Sequence, residues 1–103
     1  MLLHVTHTHT AESCPGPHAD RIKALNEGMS KLEAIAGQNN VKVVSATFAF
    51  QEHVFFLVID APTTRAAQTF LGAAFPGMLA TVHMTPVMDL AEGKQVVAEM
   101  AAR

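Results

Sequence analysis

Six histidines and a single cysteine carry most of the chemistry this sequence can offer. Three of the histidines, His4, His7 and His9, crowd into the first nine residues, and His18 follows soon after. His7-Thr8-His9 is a His-x-His pair. On a strand, residues two apart face the same side at roughly 6.5–7 Å, close enough for two imidazoles to converge on one ion. Zinc takes neutral imidazole nitrogens at about 2.0–2.1 Å and a thiolate at about 2.3 Å. Cys14 and His18 supply further donors at C-x-x-x-H spacing, in a loop stiffened by Pro15 and Pro17. The spacing therefore predicts a transition-metal site built on His7, His9 and Cys14, with His18 or His83 completing it. Copper, zinc, nickel and iron all accept such donors, and Met84 and Met88 beside His83 would suit copper. A vacant coordination position would make the metal a Lewis acid or redox centre, as in an oxidoreductase acting on a small substrate. A closed shell would mean binding, sensing or buffering.

The same residues support other chemistry. His83 and His9 are candidate general bases, because an ordinary imidazole titrates near neutral pH. Thr6, Thr8, Thr10, Thr81 and Thr85 are ready hydrogen-bond partners that would satisfy the histidines without any ion. Cys14 precedes a predicted helix N-terminus, which favours the thiolate, and it has no second cysteine for a disulfide or dithiol. Glu12 and Asp20 flank Cys14 and could orient His9 or His18, and Asp60 is expected at the same edge. His4 and His53 are assigned to the opposite end, away from His9, as structural or surface residues.

Several classes are excluded. The glycines are scattered and form no phosphate loop, and there is no G-x-S-x-G. A net charge of −2 with no basic run argues against nucleic acid. Half of the residues are hydrophobic and 16% are charged, against roughly 25% in an ordinary soluble domain. Mean hydropathy is +0.23, so disorder is excluded and a solitary copy is hard to reconcile with the composition. The uncharged stretch Ala66–Met88 is broken by Gly72, Pro76, Gly77 and Pro86, and is read as interior rather than membrane. With no secretory signal and one cysteine, a cytoplasmic location is expected. A length of 103 residues predicts one domain, residues 1–103.

The elements that must position these residues follow from periodicity. Leu2–Thr10 alternates and reads as a strand. His18–Ala36 carries Ile22, Leu25, Met29, Leu32 and Ile35 on one helical stripe, with Gly37 as its stop and Gly28 allowing close packing. Val41–Phe50 and His53–Asp60 form a hairpin about Gln51-Glu52. Ala61-Pro62-Thr63-Thr64 opens a second helix with a threonine as its cap; the apolar face is Ala66, Ala67, Phe70, Leu71 and Ala74, ended by Phe75-Pro76-Gly77. Met78–Met88 is the fourth strand, and Asp89 caps a last helix bearing Leu90, Gly93, Val97 and Met100.

The order β-α-β-β-α-β plus a C-terminal helix predicts an α+β, ferredoxin-like split βαβ fold with a four-stranded antiparallel sheet, by analogy in the order 4-1-3-2. His53–Asp60 is apolar on both faces, yet two helices cover only one face of four strands. The cheapest cover is a second copy of the sheet about a two-fold axis. In length and element order the chain resembles the dimeric α+β barrel group of small ferredoxin-like proteins. That resemblance implies a homodimer or larger ring and a pocket for a small-molecule ligand between sheet and helices. It also implies an alternative to the metal: a cofactor-free oxygenase or isomerase using a histidine base, or a non-covalent haem binder.

Overall fold

The computed structural model describes residues 1–103, and its elements follow the predicted order. They are β1 (Leu2–His9), α1 (Ala19–Ser30), α2 (Leu32–Gln38), β2 (Lys42–Ala49), a short 3₁₀ turn (Phe50–Glu52), β3 (Val54–Asp60), α3 (Thr64–Ala74), β4 (Ala80–Pro86) and α4 (Leu90–Ala101). The four strands form one open antiparallel sheet in the order β2-β3-β1-β4, as the ferredoxin-like analogy expects. No helix is long and apolar enough to cross a membrane.

The core lies on one face of the sheet. Leu3 and Val5 of β1 and Phe55, Leu57 and Ile59 of β3 are sealed beneath Leu25, Ala36, Ala67, Phe70, Leu71 and Ala74 of the helices. Period-two alternation puts His7 and His9 on this same buried face, because they continue the row begun by Leu3 and Val5. Apolar burial thus holds one end of β1 and imidazole rings occupy the other. Gly28 of α1 is packed so closely that an added Cβ would fall on the carbonyl oxygen of Ala74 in α3.

The predicted helix His18–Ala36 is two helices. The break falls at Lys31, whose N–H is shared between the carbonyls of Glu27 and Gly28, while the Ser30 hydroxyl donates to the Glu27 carbonyl at 2.9 Å. That side-chain bond competes with the helical ladder and bends it. Gly37 is not the stop. α2 runs to Gln38, and Asn40 takes the left-handed conformation at φ 57°. Val41 N–H then reaches the Ala36 carbonyl and Asn40 N–H the Gly37 carbonyl, a Schellman closure made by asparagine.

β2 also departs from strict alternation. Val43 pairs with Ile59 and Ser45 with Val58, leaving Val44 as a bulge. The extra residue turns Val43, Ala46 and Phe48 toward the core and leaves Val44 exposed. The face away from the helices carries His4, Thr6 and Thr8 of β1, Val54, Phe56 and Val58 of β3, and Thr81, His83 and Thr85 of β4. α4 begins with the expected cap, Asp89 accepting from Glu92 N–H at 2.8 Å, but none of its residues is buried.

Candidate metal centre

β1 and β3 are antiparallel, with Thr8 opposite Val54, so the end of β1 meets the start of β3. This corrects the placement of His53 at the far end of the sheet: strand direction brings it against His9. His53 closes the turn between β2 and β3 in a left-handed conformation, φ 57° and ψ 39°. Its N–H donates to the Phe50 carbonyl, and its own carbonyl accepts from His9 N–H at 3.1 Å. The two rings meet edge to face, and His53 Nδ1 lies 3.1 Å from His9 Nε2. A bulky residue at positive φ is uncommon, and here it sits where two imidazoles converge.

The loop after β1 delivers the thiol. Ser13 is buried, its hydroxyl bonded to Thr10 and to the Leu79 carbonyl. Cys14 N–H reaches the Ala11 carbonyl, and His18 N–H the Pro15 carbonyl. These bonds fix the loop so that one donor atom each from His9, Cys14 and His53 lies within 4.8 Å of the others. Tetrahedral zinc would hold two imidazole nitrogens about 3.3 Å apart, so the observed nitrogen separation needs only a small adjustment. All three residues are largely but not fully covered. Beside them lies a small hollow of about 140 Å³ walled by Pro15, Ile22, Leu25, Phe50 and Phe55.

Burial pulls the His9 pKa below its ordinary value, and the neighbouring His53 lowers it further. His7 is lowered too, first by burial and then by the nearby His9. Both shifts favour the neutral ring, the form in which imidazole ligates a metal.

Of the predicted site residues, the structure brings together His9 and Cys14 and adds His53. His7, His18 and His83 lie outside this group. His7 is buried in a cluster of three mutually touching rings, stacked on Phe55 at 5.4 Å and tilted against Phe75 at 5.1 Å. His18 is exposed at the start of α1. His83 stands opposite Thr6 on the face away from the helices and is exposed, while Met84 turns inward, so the two do not form a common donor set. Glu12 and Asp20 are exposed and bond to none of the three donors. Asp60 lies at the other end of the sheet, opposite Leu2, where it accepts from the Met1 amine at 3.0 Å. The His-x-His spacing alone could not find His53, since its signal is long-range pairing rather than local sequence.

No family model matches the chain, and no curated protein matches it. Among solved structures the chain is similar to a candidate transposase from Deinococcus radiodurans, with a TM-score of 0.51, 16% identity, and coverage of 96% of this chain and 89% of that one. At that identity the likeness is one of fold, and fold does not carry function.

Proposed function

We propose that this protein binds a transition-metal ion through His9, Cys14 and His53. The supporting observation is the convergence of two imidazoles and the lone thiol at one end of β1. Two borderline nitrogen donors and a soft sulfur suit zinc or copper better than a hard cation such as magnesium. His7, His18 and His83, expected earlier as donors, are not part of this proposal. Three protein donors would leave a tetrahedral ion one position for water or a small exogenous ligand. The test is metal titration of the apo-protein with zinc, copper, nickel and iron in turn, read by native mass spectrometry and elemental analysis. One ion per chain is expected, lost in Cys14→Ser and in His53→Ala. Absence of stoichiometric metal from the unmodified chain, with no saturable uptake, would end the reading.

We further propose that two copies associate. Support comes from apolar groups that this chain leaves uncovered: Val44 and Phe56 on the outer sheet face and Leu90, Val97 and Met100 along α4. A monomer rarely leaves so much apolar surface to water. Sedimentation equilibrium across a hundredfold concentration range tests it, a single monomer mass throughout being the contrary result.

A further inference from the structure

A second hollow, separate from the proposed metal centre, lies between α3 and β4. It is a half-open cleft of about 300 Å³ walled by Leu71, Phe75, Met78, Val82 and Met84, with His7 the buried polar group among its lining residues. Gln68 and Gly72 complete its α3 side, and no charged side chain lines it.

His7 is only 3% exposed, and its ring packs against both Phe55 and Phe75, which also touch each other. Its Nδ1 is sealed and has no hydrogen-bond partner. Nε2 also bonds to no protein group, but it is not sealed, so it is the nitrogen that His7 can offer to an occupant of the hollow. Buried polar groups are normally paired, and an unpaired imidazole held rigidly in an apolar wall is a preformed recognition point.

We propose that this hollow binds a small neutral molecule with an aromatic ring and one hydroxyl, of the phenol class, with the hydroxyl on His7 Nε2. A hydroxyl both donates and accepts, so it pairs with Nε2 in either imidazole tautomer. The absence of a facing charge disfavours carboxylates and amines, whose ionised forms would be buried unpaired. Phe75 and the thioethers of Met78 and Met84 favour an aromatic ring over an aliphatic chain. The volume stands at the small end of ligand pockets and suits one or two rings.

The probes are p-cresol and p-xylene, which differ by a hydroxyl in place of a methyl group. Binding to the full chain is followed by NMR titration, including the imidazole nitrogen signals. The expected result is saturable binding of p-cresol about tenfold tighter than p-xylene, with the His7 Nε2 resonance moving only for p-cresol. His7→Phe keeps an aromatic ring against Phe55 and Phe75 and should erase the preference while retaining p-xylene. Gly72→Leu provides a second arm should that variant fail to fold. A Cβ at Gly72 meets nothing within 4 Å, so the backbone there has room to carry a side chain, and from this lining position leucine should occlude the hollow and abolish both ligands. Equal affinity for the two probes, no saturable binding, or undiminished p-cresol binding by Gly72→Leu would overturn the proposal.

Discussion

His53 occupies a backbone conformation that glycine adopts freely and a histidine does not. Its side chain therefore stays there against a local cost of about 1–3 kcal/mol. His53→Gly should relieve that strain and remove a donor at once. The apo-protein should melt at an equal or higher temperature, while metal uptake falls at least tenfold; calorimetry and titration read the two effects separately. The neutral histidines predict a pH dependence with a definite sign. His7 and His9 have folded pKa values below the unfolded value of about 6.5. Below that pH the unfolded chain takes up protons that the folded chain refuses, so their contribution is complete above about pH 6.5 and is lost as pH falls toward the folded values. Urea midpoints at pH 8 and pH 5 should fall toward acid, and His7→Phe should fall less. Metal affinity should weaken as pH falls, because protons compete with the ion for His9.

At the scale of elements, Gly28 decides how closely α1 and α3 approach. Elsewhere in a helix, exchanging glycine for alanine gains up to about 1 kcal/mol. At Gly28 the added methyl meets the Ala74 backbone, and overpacking of this kind costs about 1–3 kcal/mol. Gly28→Ala should lower the denaturation midpoint, and Gly93→Ala, where a Cβ meets nothing, should not. Much of this architecture was legible in the residues. Alternation marked β1, the Thr63-Thr64 pair and Asp89 marked their helix starts, and the element order gave the sheet. The Ser30 break, the Asn40 closure and the Val44 bulge were not legible, because each turns on a single hydrogen bond or register step that hydropathy does not encode. The site divided in the same way. His9 and Cys14 are near in sequence and were found from spacing, whereas His53 is 44 residues from His9 and becomes visible only through strand direction.

The whole molecule is long for its size, 58 × 28 × 19 Å, and α4 has no buried residue. A 12-residue helix without packing is marginal in water. If two copies shelter α4 and the outer sheet face, thermal stability should rise with protein concentration, as for any assembly whose folded form is the one that binds. Asp89→Ala, which removes the α4 cap, should then weaken association while leaving the hydrogen-exchange protection of β1 and β3 intact. Dilution series by light scattering and exchange measurements test both halves of that expectation.

The three proposed donors are not held with equal rigidity. His9 belongs to a strand flanked on both sides, whereas Cys14 and His53 sit on connections, each tied by only one or two backbone bonds. A captured ion would therefore depart by way of the connections, one bond at a time, with the strand as its last anchor. Its residence time would follow the stiffness of the Pro15-Gly16-Pro17 segment more than the stability of the sheet, so release could be hastened by loosening that segment alone.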